Sequence, residues 1–399
     1  MTTFRCPRAW RWQHAALPLL LAAIALPATA EEPPRARDLG IPFDGTPGPL
    51  NAITDVAGVE VGHHTIIEDL EGDRAVRTGV TAILPRGEDT LQQPAFAGWF
   101  ALNGNGEMTG TTWVEESGML EGPVLITNTH SVGTVHEAAI RWRVQQDGPD
   151  TSGYWWSLPV VAETWDGYLS DINGFHVRAK HVFAALDSAA GGPVAEGNVG
   201  GGTGTICHEF KCGIGTASRR VEMDDGAFTI GVLVQANYGL RDTLRVAGVP
   251  VGQHLTANRA YAALPGGPRE MGSIIIVVAT DAPLLPHQLK RIVKRAALGL
   301  ARDGGVAGNG SGDIFIAFST ANEAATQSGA AVEVTMLTND NLSPLFQGTV
   351  EATEEAIINA LVAGRDMTGN RGNMVHAIDH ADLQRVLREY NRLEPPAAP

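Results

Sequence analysis

The chain is poor in the features that mark several common protein classes. It has three cysteines in 399 residues, and one of these, Cys6, lies near the N-terminus. The other two stand in Cys207-His-Glu-Phe-Lys-Cys212, which is neither a CxxC pair nor a zinc-like set. A small-loop disulfide and two buried thiols both fit that spacing. Histidine does not supply a metal site either. His63-His64, His130, His136, His376 and His380 form no HExxH, and no carboxylate stands where it would close a ligand set. They read as solvated or core residues, so no metal and no other cofactor is expected. A GxSxG nucleophile elbow is missing. So is any GK[ST] after the glycine tract Gly200-Gly-Gly-Thr-Gly-Thr205, which reads as a tight structural loop and not as a phosphate cradle.

Positive charge is scarce as well. Lys and Arg number 29 against 44 Asp and Glu, for a formal charge of −15. That balance argues against a nucleic-acid or anionic-membrane partner. Long apolar runs are absent except Ala15 to Leu26, which is too short for a stable membrane span. Arg5, Arg8 and Arg11 precede it, and Ala28-Thr29-Ala30 follows as a small-x-small site. Residues 1–30 therefore read as a secretory signal cut before Glu31. A secreted or periplasmic protein, soluble after signal removal, is expected.

What is present is a compact, loop-rich composition: 44% hydrophobic residues and 47 glycines. The length allows two domains or one large α/β domain. Residues 31–50 are Pro-rich and read as a loose arm. Strand patterns occur at Val59–His63, Gly79–Leu84, Gly122–Thr127, Pro159–Glu163, Phe228–Gln235, Ser273–Thr280 and Asp313–Phe318. Helical patterns occupy His136–Val144, Lys180–Ala190, Leu289–Leu300 after Pro286, Glu351–Val362 and His380–Leu393. Strands and helices do not alternate as βαβ units. Stacked sheets with helices outside, an α+β layered form of α/β, are expected in place of a doubly wound sheet.

The most informative dipeptide is Gly272-Ser273. It joins the polar loop Pro265–Met271 to the β-branched run Ser273–Thr280, a buried central strand by pattern. Gly-Ser before a strand is commonly a plain turn. A serine there can also attack the Gly272 carbonyl and free itself. It then carries both a hydroxyl nucleophile and an α-amine, whose ordinary pKa of about 7.7–8.0 suits a base. Gly308-Asn-Gly-Ser-Gly-Asp313 precedes another buried strand. It reads as a loop, or as a Ser311–Asp313 pair able to move a proton. Asn237 ends a third strand and is either a turn residue or an amide donor to an oxyanion.

Further stretches complete a pattern. They are Asp44–His63, Thr127-Asn-Thr-His-Ser-Val-Gly133, Pro159–Gly167 and Gly213-Ile-Gly-Thr-Ala-Ser-Arg219. With Gly200–Gly204, Met271-Gly-Ser273 and Gly308–Asp313 they run in order through most of the chain. Together they resemble the DmpA-like peptidases, the β-aminopeptidases and L-aminopeptidase/D-esterases. The resemblance implies an αββα sandwich similar to N-terminal nucleophile hydrolases but differently connected. It implies a single catalytic domain that cuts itself into Glu31–Gly272 and Ser273–Pro399, and a tetramer of such pairs. It implies Ser273 as nucleophile, Ser311 as second active-site serine and Asn237 in the oxyanion hole. Asp313 stands where the best-known members carry glutamate. Trp165 stands where the family uses a tyrosine, with Tyr168 the nearest alternative hydroxyl, and Glu163 is placed to hold a substrate ammonium. The implied substrates are small peptides, amides or esters with a free N-terminal amine, β-amino acids and D-Ala amides or esters among them. An acyltransferase using the same acyl-enzyme and a catalytically silent binding protein of the same fold are the alternatives.

Overall fold

The computed structural model describes residues 1–2, 34–146, 154–224, 226–262, 272–326 and 331–394. Met1–Pro33 and Pro34–Pro399 are separate compact units, so the fold below is that of the second. The signal-like segment and the loop Pro265–Met271 lie outside the described residues.

The strands are β1 (Glu60–Asp69), β2 (Ala75–Leu84), β3 (Ala95–Ala101), β4 (Met119–Leu120), β5 (Val124–Asn128), β6 (Val160–Thr164), β7 (Ile206–Cys207), β8 (Phe210–Lys211), β9 (Ile214–Met223), β10 (Gly226–Asn237), β11 (Ser273–Thr280), β12 (Gly312–Ser319), β13 (Met367–Thr368) and β14 (Met374–Val375). The helices are α1 (Thr111–Ser117), α2 (Val132–Gln146), α3 (Ala179–Asp187), α4 (Val251–His254), α5 (Pro286–Val293), α6 (Ala296–Arg302), α7 (Ser343–Val362) and α8 (His380–Glu389).

Two sheets form the centre. One has the order β1-β2-β5-β6 and the other β4-β3-β12-β11-β10-β9. Their facing side chains make one apolar layer, in which Ile83, Val124, Ile126 and Ala162 meet Leu233, Ile275, Val277, Ile314 and Ile316. The outer face of the four-stranded sheet is covered by α2 and α3 through Val135, Ala138, Val182 and Leu186. The outer face of the six-stranded sheet is covered by α5, α6 and α7 through Leu289, Ile292, Leu300, Ala356 and Leu361. The result is the αββα layering expected.

Strand β11 reads as a continuous apolar run because both its faces are buried. Ile274, Ile276 and Val278 join the helix-side core, while Ile275, Val277 and Ala279 join the inter-sheet core. It runs antiparallel to β10 and parallel to β12. The two strands of this sheet that follow Gly272, β11 and β12, thus lie inside it, between β3 and β10.

Two expectations need correction. The part of the arm that is described, residues 34–50, is fastened, not loose. Ala36 and Ile41 are buried, Arg35 pairs with Glu196 at 2.8 Å and Arg37 with Glu355 at 2.8 Å. Ion pairs to residues far along the chain hold a segment whose proline content suggested otherwise. The single helix expected over Leu289–Leu300 is two, since Lys294 and Arg295 form a turn between α5 and α6. Of the two readings for the cysteines, the structure takes the disulfide: Cys207 and Cys212 are bonded, with Cα atoms 5.7 Å apart.

Candidate active site

The site is built where β10, β11 and β12 reach the same edge. Asn237, the last residue of β10, lies directly opposite Ser273, the first of β11. Residues directly opposed in an antiparallel pair project from the same face, so both side chains face the inter-sheet layer. Across the other side of β11, Ser273 is in register with Gly312. Ser273 is 4% exposed.

Among the described residues, one hydrogen bond orients the Asn237 amide. Its Oδ1 accepts the Ile206 N–H of β7 at 2.9 Å. With the oxygen engaged, the NH2 end is the one left to donate. Ile206 is itself fixed because β7 and β8 form a hairpin closed by the disulfide.

Ser311 and Asp313 form a hydrogen-bonded pair, Oγ donating to Oδ1 at 2.7 Å. Aspartate therefore spans the distance despite its shorter side chain. Asn103 makes this possible. Its Nδ2 donates to Asp313 Oδ2 at 3.2 Å, and its Oδ1 accepts the Asp313 N–H at 2.7 Å. Burial pushes the Asp313 carboxyl up. Hydrogen bonds from Ser311, Asn103 and the Ile274 backbone N–H oppose that shift. Strand alternation sends Asp313 to the face opposite the one Ser273 uses. Among the described residues, the Ser273 hydroxyl makes no hydrogen bond to Ser311 or Asp313. Asp313 instead accepts from the Ile274 backbone N–H, one residue beyond Ser273.

Glu163 belongs to β6 in the facing sheet and is 2% exposed. Its Oε1 accepts the Glu107 N–H at 3.0 Å, and its Oε2 accepts the Thr129 hydroxyl. Burial raises its pKa, and those two hydrogen bonds oppose the rise. The loop Asn103–Glu107 joins Glu163 to the opposite sheet. A methyl group added to Gly106 would lie 3.1 Å from Gly312 Cα and 3.2 Å from Glu163 Oε1. Glu163 is therefore a close neighbour of the strand pair that carries Ser273. Gln235 fixes the two sheets relative to each other, because its Nε2 donates to Thr164 Oγ1 at 2.8 Å and to Thr127 O at 3.1 Å.

Trp165 follows β6 and is 38% exposed, with its indole lying against Gly167. Tyr168 turns away to pack edge-on against Tyr261 at 4.7 Å, beside Ile206 in a small satellite core. Between them Asp166 is fully buried. Desolvation raises its pKa to about 7, opposed by hydrogen bonds from Thr78 and Asn128.

Gly272 is a glycine for a reason other than backbone strain. Its φ is not in the left-handed region. A Cβ there would instead strike the backbone of Asn237 and sit 2.6 Å from Tyr238 Cα. The structure thus brings Gly272, Ser273, Asn237, Ser311, Asp313 and Glu163 together, whereas the contacts of Trp165 and Tyr168 are with Gly167 and Tyr261. Sequence reasoning missed Asn103 and Gln235. Neither sits in a motif, and their importance lies in partners far along the chain.

A serine at the head of a central strand, between two sheets flanked by helices, defines a hydrolase of the N-terminal-nucleophile architecture. The chain belongs to peptidase family S58, whose pattern matches residues 51–375. It is a serine-type peptidase. It is 53% identical over 392 residues to β-peptidyl aminopeptidase BapA of Sphingosinicella microcystinivorans, covering 94% of this chain and 98% of that one. Among solved structures it resembles the L-aminopeptidase D-Ala-esterase/amidase of Ochrobactrum anthropi, described as a variant of the Ntn hydrolase fold. The TM-score is 0.84 at 51% identity, over 90% of this chain and 99% of the other. A Burkholderia sp. β-aminopeptidase matches with a TM-score of 0.80 at 50% identity, over 89% and 98%.

Proposed function

We propose that this chain is the precursor of a secreted, self-cleaving serine aminopeptidase and amidase that releases N-terminal residues, β-amino acids among them, from peptides and amides. The observation that carries the reading is the alignment of Ser273 with Asn237 on one side and Gly312 on the other, under the Glu163 carboxylate. The β-aminopeptidase names of its relatives favour β-residues at the released position.

In this reading the Gly272–Ser273 bond is cut first, leaving Ser273 with a free α-amine. That amine, near its pKa at neutral pH, takes the hydroxyl proton as Oγ attacks the substrate carbonyl. The Ser311–Asp313 pair, whose carboxylate accepts from the Ile274 N–H next to Ser273, addresses the amine in this reading. The Asn237 amide donates to the oxyanion. Glu163, with lone pairs still free after its two hydrogen bonds, receives the substrate's ammonium and limits attack to the first residue. The leaving amine departs with a proton, and water then releases the acyl group from Ser273. The secretory signal, the cut before Glu31 and a tetramer of processed pairs belong to the same proposal.

Purified protein is assayed with β-homoalanine, L-alanine and D-alanine p-nitroanilides, each with and without an added amine. Release of p-nitroaniline, fastest with the β-substrate, is expected. Conversion mainly to the amine adduct would move the reading to acyl transfer, and no turnover of any substrate would sink it.

A further inference from the structure

We propose that the backbone N–H of Gly312 is the oxyanion donor for self-cleavage at Gly272–Ser273, and that Asn237 serves turnover. The inference rests on the self-processing reading above. In the uncut chain Gly312 N–H donates to the Gly272 carbonyl oxygen at 3.1 Å. That oxygen belongs to the bond to be broken. A donor about 2.7–3.1 Å from the oxygen that becomes charged is in range to stabilise it.

The site around this hydrogen bond is closed. Both glycines are buried. The loop at Asn105–Gly106 lies directly across Gly312, where a Cβ would come within 2.7 Å of Gly106 Cα. On the other side Gly272 is pressed against Asn237 and Tyr238. A hydrogen bond in such a water-excluded place gains strength as charge develops on the oxygen. The Asn237 side chain springs from the opposite side of Ser273, across the β10–β11 ladder. The two donors thus flank the nucleophile from neighbouring strands, one made by main chain and one by a side chain.

The step balances as an acyl shift from N to O. Ser273 Oγ bonds to the Gly272 carbonyl carbon, and the carbonyl π electrons move onto the oxygen held by Gly312 N–H. When that intermediate collapses, the C–N bond breaks and the hydroxyl proton ends on the Ser273 nitrogen, now an amine. Water adds to the resulting ester, giving the Gly272 carboxyl group and restoring the Ser273 hydroxyl.

The same hydrogen bond is also the first rung of the parallel β11–β12 ladder, so the test must separate chemistry from pairing. Full-length chain is made by cell-free translation with glycolic acid at position 312, which turns that amide into an ester and deletes only the N–H. A second chain carries the α-hydroxy analogue of isoleucine at position 316, further along the same ladder. Cleavage is followed by mass on the folded fraction, beside the unmodified chain and Ser273→Ala. The expected result is cleavage slowed about 10²–10³-fold by the 312 ester and little changed by the 316 ester. Normal cleavage with the 312 ester overturns the proposal, and so does equal slowing by both esters. An unmodified chain that stays whole, or a Ser273→Ala chain that is cut, removes the self-processing reading itself.

Discussion

Asn237 and Ser273 stand face to face across the β10–β11 ladder, and the Asn237 oxygen is tied to Ile206 N–H at 2.9 Å. That contact aims the amide, so the pair acts as a unit set by three strands. Asn237→Ala is expected to lower kcat about 10²–10³-fold, or roughly 2.7–4 kcal/mol, while the protein still folds and cuts itself. Melting temperature and steady-state kinetics on the same cleaved preparation check this. A near-normal kcat removes Asn237 from the site.

In the proposed mechanism the Glu163 carboxylate, buried inside the protein, receives the substrate ammonium. Glu163→Gln keeps the shape but removes the charge. KM for amine-bearing substrates should rise at least tenfold, with a far smaller change for a substrate whose amine is acetylated. Equal effects on the two substrates would mean that Glu163 only supports the fold through Thr129 and Glu107.

Asp313 has its pKa raised by burial and lowered back by Ser311, Asn103 and the Ile274 N–H. If the ionised form is needed, activity falls as pH drops through a value above the ordinary carboxylate range. Asn103→Ala removes one of the opposing hydrogen bonds. The acid limb of kcat/KM should therefore move to higher pH, and Asp313→Asn should abolish that limb together with most activity. A limb that stays put in Asn103→Ala separates Asn103 from the ionisation of Asp313.

Gly272→Ala drives a methyl group into the Asn237–Tyr238 backbone. Overpacking of this kind costs about 1–3 kcal/mol. In the uncuttable Ser273→Ala background the substitution should lower the melting temperature by several degrees. In the wild-type background it should slow cleavage. Thermal melts unchanged by the methyl group would contradict the close approach.

Lys211 is fully buried, and desolvation lowers its pKa to about 7. Its Nζ faces the Cys212 and Gly202 carbonyls. The unfolded lysine titrates near 10.4. Between about pH 7 and 10 the unfolded state therefore binds more protons, and stability rises with pH over that window. Lys211→Met should flatten the rise, as read from denaturant midpoints at pH 7 and 9.5. An unchanged slope would assign the effect to other groups.

The sequence displayed the core strands of the site more clearly than their supports. Ser273–Thr280 was readable because burial on both faces leaves an unbroken β-branched run. Strand β9 was not, because it carries Ser218 and Arg219 where apolar residues would be expected. Arg219 is buried against Glu351 and Glu355 of α7, far along the chain, with Glu355 at 2.7 Å. Strand β3 was hidden for a different reason: its Ala, Gly and aromatic residues follow neither a strand nor a helix period. Within the site, Ser273, Ser311, Asp313 and Asn237 stand at strand ends and loops whose pattern is local. Asn103 carries no such pattern. Its meaning lies in Asp313, 210 residues away, and a partner at that separation is invisible until the sheet is assembled.

Strands β11 and β12, both after Gly272, occupy the interior of a six-stranded sheet, flanked by β3 and β10 from the segment before it. A cut at Gly272 therefore leaves two peptides interleaved like the teeth of a closed zip. Neither can complete the six-stranded sheet without the other. Folding would be first-order while the chain is whole, but reassembly after a melt would require two molecules to meet, and so would slow on dilution. The mature form would then persist through the height of its unfolding barrier rather than through equilibrium, with no simple path back once opened.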